Sequence, residues 1–279
     1  MNLAGIQTFL AIVETGNLVR AAERLHVTQS TVTARLNSLE QALGQTLFLR
    51  RKSGAELTSA GFKFERYAQV MSDLWRQAKL ETGLPPEIDA VCNIGCDPEL
   101  WRGVGDTLFE SLSSAESSMA VSVWQGSQDD LSRWLDSGLI DVALCYAPMV
   151  NENATVYALP DDALIQVATV ARSLMRWDPL YIYVDHGEVF RREHAATYAD
   201  GDTPTVTFGA SQWAHQHLLR VGGSAYLPER FVSADIAAGR LFPVTGAKVF
   251  YRKCYLLVSN NVVPTPEFEH AIAKIAGQD

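Results

Sequence analysis

A chain of 279 residues with 47% hydrophobic and 20% charged side chains has a globular composition and is long enough for two or three compact units. It has no long run of apolar residues, which argues against a helical membrane span, and Met1-Asn2-Leu3-Ala4-Gly5 lacks the basic start of an export signal, so a cytoplasmic protein is expected, with Cys92, Cys96, Cys145 and Cys254 as reduced thiols. The net charge of −9 is unevenly divided: residues 1–82 hold ten Lys/Arg against seven Asp/Glu, a net of +3, and the remainder holds 13 against 25, a net of −12. A basic head can engage phosphates while an acidic body limits indiscriminate binding, so the overall sign does not exclude nucleic acid.

Ile6, Phe9, Leu10 and Val13 fall at helical spacing and predict a first helix. Asn17 suits the cap of a second, whose apolar positions are Ala21, Ala22 and Leu25. His26-Val27-Thr28 then forms a tight connection, with Thr28 as the next cap. A third helix places Val32, Leu36, Leu39 and Leu43 on one stripe, and Gly44 ends it. Two helices joined by a three-residue turn make the helix-turn-helix layout.

The opposite face of the third helix carries Ser30, Thr33, Ala34, Asn37 and Gln41, flanked by Gln29 and Arg35. Small polar residues near a helix N-terminus can approach base edges in the major groove. After it, Leu47-Phe48-Leu49 and Glu56-Leu57-Thr58 flank Arg50-Arg51-Lys52-Ser53-Gly54, a β-ribbon with a basic tip suited to backbone or minor-groove contact. Thr58 caps a further helix with Ala60, Phe64, Tyr67, Met71, Leu74 and Ala78 at alternating spacings of four and three, the pattern of a helix-pairing seam. Gly83-Leu84-Pro85-Pro86 breaks it and marks a boundary.

The segment Phe9…Gly16-Asn17-Leu18…Ala21-Ala22…Leu25…Thr28-Gln29-Ser30-Thr31-Val32-Thr33…Leu39-Glu40…Gly44…Leu47-Phe48…Arg50…Leu57-Thr58…Gly61 resembles the DNA-binding domain of LysR-type transcriptional regulators, over roughly residues 3–82. It departs from the common family pattern at Asn17-Leu18, Ser30 and Ala34, with Arg35 one place late, which bears on the operator sequence and not on the fold. The resemblance implies double-stranded operator DNA as partner, with Thr28, Gln29, Ser30, Thr31, Thr33, Ala34, Arg35, Asn37, Arg50, Arg51 and Lys52 as DNA contacts. It implies a homodimer or homotetramer paired through Phe64, Tyr67, Met71 and Leu74, and contact with RNA polymerase.

From Ile88 onward strand and helix patterns alternate. Strands are expected at Ile88–Ile94, Met119–Val123, Val142–Cys145, Leu164–Val170, Leu180–Val184, Val206–Phe208 and Ser224–Leu227. Helices are expected at Leu100–Leu112, Leu131–Leu135, Val189–Ala196, Gln212–Val221 and Pro266–Ala276. Such alternation predicts parallel sheets with ligand sites at the carboxyl ends of strands. Ile94-Gly95, Leu135…Gly138-Leu139-Ile140-Asp141-Val142-Ala143-Leu144, Gly222-Gly223-Ser224-Ala225-Tyr226-Leu227-Pro228 and Ala238-Gly239-Arg240-Leu241 resemble the LysR-type effector domain.

The whole is expected to be an N-terminal all-α winged helix-turn-helix with a long linker helix, then an α/β effector domain of two Rossmann-like subdomains, like that of periplasmic binding proteins. The expected divisions are 1–58, a linker helix 59–82, a hinge 83–87 and an effector domain 88–279. Its first subdomain takes about 88–162 and 261–279, its second about 163–260. The expected partner there is a small-molecule effector of unknown identity. Residues just past strand ends are the candidate contacts: Cys96, Asp97, Gln125, Ser127, Tyr146, Asp185, His186, Phe208 and Ser211, the last capping a helix whose free N–H groups can hold an anion.

Three rival readings have less in the sequence to support them. No phosphate loop, nucleophile elbow, dinucleotide motif or metal-ligand spacing is present, so neither an enzyme nor a cofactor is expected. A periplasmic solute-binding protein would need an export signal. A thiol redox sensor would work through Cys96 or Cys145, beside which no basic residue stands to favour the thiolate.

Overall fold

The computed structural model describes residues 3–51, 54–113, 118–148, 152–175, 178–198, 203–262 and 265–277. It divides into two compact units, Met1–Pro86 and Glu87–Asp279.

The first unit contains α1 (Leu3–Thr15), α2 (Leu18–Arg24), α3 (Gln29–Leu43), β1 (Phe48–Arg51), β2 (Gly54–Leu57) and α4 (Ser59–Glu81). Its core gathers Ile6, Phe9 and Ile12 from α1, Ala21 and Ala22 from α2, Val32, Leu36 and Leu39 from α3, and Leu47, Phe48 and Ala68. Phe9 lies at its centre, 5.2 Å from the Phe48 ring and 5.0 Å from Phe64; burying such a ring contributes roughly 1.5–3 kcal/mol. The stripe on α3 ends one turn earlier than its spacing suggests. Leu43 is 42% exposed, because the helix closes at Gly44 in the left-handed conformation (φ 64°).

The antiparallel ribbon β1–β2 pairs Phe48 with Leu57 and Arg51 with Gly54. α4 then starts hard against it. A Cβ at Gly61 would stand 2.3 Å from the Leu47 carbonyl oxygen, so only glycine fits there.

The expected linker seam lies partly against the head itself. Phe64, Met71 and Ala60 pack onto the head's own core, where α4 covers α1. Tyr67 is 55% exposed and Leu74 partly buried, while Phe62, Trp75 and Leu80 present further apolar surface.

The second unit runs β3 (Ala90–Cys96), a 3₁₀ turn (Pro98–Leu100), an irregular turn (Trp101–Gly105), α5 (Asp106–Leu112), β4 (Met119–Gln125), α6 (Gln128–Ser137), β5 (Val142–Cys145) and β6 (Ala154–Ala168). It continues with β7 (Tyr181–Val184), α7 (Glu188–Thr197), β8 (Val206–Phe208), α8 (Ser211–Val221), β9 (Ser224–Pro228), α9 (Glu229–Ala237), β10 (Phe242–Pro243), β11 (Phe250–Ser259) and α10 (Pro266–Ile275). The sheet order is β4-β3-β5-β11-β6-β9-β7-β8, with β10 on β6. β3, β4 and β5 are parallel, as are β7, β8 and β9; β6 and β11 run antiparallel to each other and join the two sets.

Each parallel set has its own core. Ile94, Leu100, Leu108, Val142, Leu144 and Leu256 fill the first, onto which α10 returns against α5. Val167, Ile182, Val184, Leu218, Leu227 and Val232 fill the second. Several elements differ from the sequence expectation: the helix expected over Leu100–Leu112 is shortened to α5, because Arg102 and Gly103 leave helical backbone angles, and β10 was not anticipated. β6 is a fifteen-residue strand where only its end was expected, and β11 and α9 were not anticipated. Pro160-Asp161-Asp162 and Arg252-Lys253 interrupt the apolar alternation of the two long strands, and their mutual pairing, with a bulge between Arg252 and Cys254, carries them through. Among the described residues no helix is long and apolar enough to cross a membrane.

Candidate DNA interface and effector cleft

The head presents α3 through two side-chain caps. Asn17 Oδ1 accepts from the Val19 amide at 2.7 Å to start α2. Thr28 Oγ1 accepts from the Thr31 amide at 3.2 Å to start α3. Between them His26 takes a left-handed turn (φ 53°), which points the chain from one helix into the next. Thr28 Oγ1 also lies 2.8 Å from the hydroxyls of both Ser30 and Thr31, so these three side chains form one polar cluster at the tip of α3. Gln29, Ser30, Ala34 and Asn37 are exposed; Thr31, Thr33 and Arg35 are half-buried along the flanks. The arrangement is a rigid helix whose first two turns offer short polar groups and a methyl, the set that suits base edges.

In the ribbon, Arg51 Nε is 2.9 Å from Glu56 Oε2, both side chains being more than half exposed. Such a surface pair is worth only about 0.2–1 kcal/mol and exchanges readily for a phosphate. The side chain of Arg50, and Lys52, lie outside the described residues.

In the second unit the strand ends converge on Arg230, at the start of α9. Its Nε donates to Asp162 Oδ1 at 3.0 Å and its Nη2 to Asp162 Oδ2 at 2.9 Å. Nη2 also donates to the Glu99 carbonyl at 2.7 Å and to Tyr146 Oη at 3.0 Å, and Nη1 to the Arg102 carbonyl. Tyr146 Oη donates to Asp162 Oδ2 at 2.9 Å, and the Arg252 guanidinium lies over the Tyr146 ring, 3.3 Å from its centroid. Burial opposes the Arg230 charge, but Tyr146 and Asp162 outweigh it and raise its pKa; burial also pushes the Tyr146 phenol up. The guanidinium thus joins the turn after β3 to the helices beyond the crossing strands.

The candidate effector contacts fall into two groups. Asp97, Tyr146, Cys96 and Ser211 lie at or beside this junction. Asp97 Oδ1 accepts from the Glu99 amide at 2.9 Å, and its carboxyl is pushed up by burial. Cys96 Sγ donates to the Asp97 carbonyl at 3.2 Å. Ser211 does not cap α8 as expected: Ala210 holds the cap position without a side-chain bond, and Ser211 is the first helical residue, fully buried.

The other candidates are engaged structurally or point elsewhere. Ser127 caps α6 in a reciprocal box with Asp130, and Gln125 is exposed. Asp185 accepts from the Gly187 amide at 2.9 Å and pairs with Arg191 at 2.7 Å. His186 Nε2 bonds the Tyr226 carbonyl at 2.9 Å, and burial lowers its pKa to about 4. Phe208 packs against His217, ring centroids 5.4 Å apart. Glu99, Arg102, Asp162, Arg230 and Arg252 were missed; they meet only through the pairing of β6 with β11 and the placement of α9, which no local pattern reveals.

All four cysteines are buried and free. Burial pushes Cys92, Cys96 and Cys254 up to about 12 and Cys145 to about 11, the reverse of what a thiol sensor needs.

Residues 3–62 match the family model described as "Bacterial regulatory helix-turn-helix protein, lysR family". The chain is 26% identical over 260 residues to the HTH-type transcriptional regulator HdfR of Shigella boydii, covering 92% of this chain and 91% of that one. Over its first 62 residues the chain is thus similar to the LysR family of bacterial regulators, and over most of its length to a named transcriptional regulator. The relatives it matches are named as transcriptional regulators, HdfR of Escherichia coli among them, also at 26% identity with 92% and 91% coverage. The likeness of fold extends over the full chain. The structure of CbnR, a LysR family regulator, matches with a TM-score of 0.69 at 18% identity, covering 99% of both chains. Vibrio fischeri DarR, solved in complex with DNA, matches at 0.61 and 17% identity, covering 100% of this chain and 99% of that one. Full-length LysG of Corynebacterium glutamicum, solved with bound effector Arg, matches at 0.54 and 18% identity, covering 100% and 99%.

Proposed function

We propose that this regulator reads operator DNA with the exposed face of α3 and steadies itself on the backbone with the β1–β2 ribbon. α3, started by the Thr28 cap and stopped at Gly44, with Gln29, Ser30, Ala34 and Asn37 exposed at its N-terminal half, carries the reading. Gln29 and Asn37 have the donor–acceptor pair that suits adenine, and the Ala34 methyl suits the thymine methyl. Arg35, Arg50, Arg51 and Lys52 supply cations for phosphates in a head that is net positive. Two heads are brought together by pairing of α4 through Tyr67, Leu74 and Trp75, the apolar side chains that the head's own core leaves over, in a cytoplasmic homodimer or homotetramer that contacts RNA polymerase.

The second unit senses a polar organic molecule, anionic by preference, in the cleft where Tyr146, Arg230, Asp97 and Ser211 converge. LysG, whose fold this chain shares, was solved with a bound effector, arginine. Such an effector alters DNA binding only by favouring one protein conformation over another. Titrating the full chain against its operator with and without candidate metabolites, alongside thermal unfolding in the same metabolites, tests the reading. A ligand that raises the unfolding temperature and shifts operator affinity supports it; a ligand that stabilises without changing DNA binding contradicts the coupling.

A further inference from the structure

The first turn of a helix has N–H groups without intrahelical partners and a positive dipole end, so α8 needs an anion or a capping side chain at Ser211. It has no side-chain cap. The Ser211 amide instead donates to Oε1 of Glu99 at 2.9 Å, a residue 112 positions earlier on the turn after β3. Ser211 is 0% exposed, and its hydroxyl is buried with no partner; Glu99 Oε2 is likewise buried with unused acceptor capacity. The main chain of the same residue is engaged as well, since the Glu99 carbonyl accepts from Arg230 at the start of α9. Glu99 therefore holds α8 by its carboxylate and α9 by its backbone.

We propose that Glu99 is a built-in counter-anion: its carboxylate fills the site that an effector's carboxylate would take, latching the cleft shut, and an external anion has to displace it. This deepens the reading of the cleft as the effector site and rests on it. Two features favour the assignment over an incidental contact. The bond closes on a fully buried helix start rather than a solvated one, and the Ser211 hydroxyl beside it is a second, unused donor for a carboxylate.

The test uses the full chain as wild type, Glu99→Ala and Glu99→Gln, with acetate as the probe. Thermal unfolding is followed against acetate concentration at neutral pH and constant ionic strength, with chloride as the balancing ion. The expected result is that Glu99→Ala unfolds at a lower temperature, regains stability with acetate, and binds acetate about tenfold or more tighter than wild type. Wild type and Glu99→Gln, whose sites are filled, do not respond. Acetate stabilising wild type as strongly as the alanine variant, or leaving the alanine variant unchanged, overturns the proposal.

Should Glu99→Ala fail to fold, Glu99→Gln decides. It keeps an acceptor and drops the charge, so it is expected to be less stable than wild type at low salt and less sensitive to added salt. Equal stability and equal salt response overturn the latch. Neither DNA nor a natural effector enters these measurements, so their failure removes the latch alone. The effector reading fails separately, in the operator titrations.

Discussion

Replacing Arg230 with methionine removes the guanidinium and keeps most of its apolar volume. Asp162 has only 3% of its side chain exposed, and Arg230 19%. Without the guanidinium, Asp162 keeps the Tyr146 hydroxyl but loses its charge partner, and the Glu99 and Arg102 carbonyls lose a shared donor. Removing one member of a buried ion pair costs about 3–5 kcal/mol; the partial solvent contact of Arg230 places this case near 3. For a unit of this size that is a fall of roughly 6–12 °C in unfolding temperature. Urea unfolding followed by tryptophan fluorescence reports on the second unit through Trp101, Trp124 and Trp134. The double variant Arg230→Met with Asp162→Asn also removes the stranded charge and is expected to regain about half the loss. A single-variant cost below about 1 kcal/mol, or a double variant as unstable as the sum of the two singles, refutes the claim that this ion pair holds the junction.

Other outcomes follow from the same geometry. His186 and His194 are both lowered to about 4 by burial; between about pH 6.5 and 4 the unfolded chain binds their protons first, so stability falls as pH drops through that window. His194→Gln is expected to flatten part of the slope in denaturation midpoints measured across that range, and an unchanged slope counts against it. The four buried thiols are expected to resist a thiol-specific chromogenic reagent in the native chain and to react together on unfolding; rapid native labelling of Cys96 or Cys145 returns the redox reading to contention. Tyr67→Glu with Trp75→Glu is expected to break the α4 pairing, seen by light scattering as a smaller particle with weaker operator binding, while the head stays folded because neither side chain belongs to its core; an unchanged oligomer argues that α4 does not pair subunits.

What could be read from the sequence was the part built from neighbours in the chain. Asn17, Thr28, Gly44 and Thr58 act within a few residues of their own positions, so the caps and stops of the helix-turn-helix follow from local chemistry. The α4 seam was legible as an apolar face, but a period of seven does not show what covers it: Phe64 and Met71 pack in part on the head. In the second unit, β6 and β11 stabilise each other across about a hundred residues, and their polar interruptions hide them singly. The Arg230 junction depends on that pairing, so its members were invisible while Tyr146 and Asp97, at ordinary strand ends, were not. Ser211 was expected to cap α8 and instead lies in its first turn, and the carboxylate that accepts from its amide, Glu99, could not be read from spacing.

Selection of binding sites from a random duplex library by the full chain tests most directly whether the exposed face of α3 reads DNA sequence. Wild type is expected to enrich two related half-sites spaced by about one helical turn or a multiple of it, and Gln29→Ala with Asn37→Ala to relax the preference within the half-sites while leaving their spacing unchanged. Enrichment of the same sequences by wild type and variant, or no enrichment by wild type, would contradict the assignment of α3.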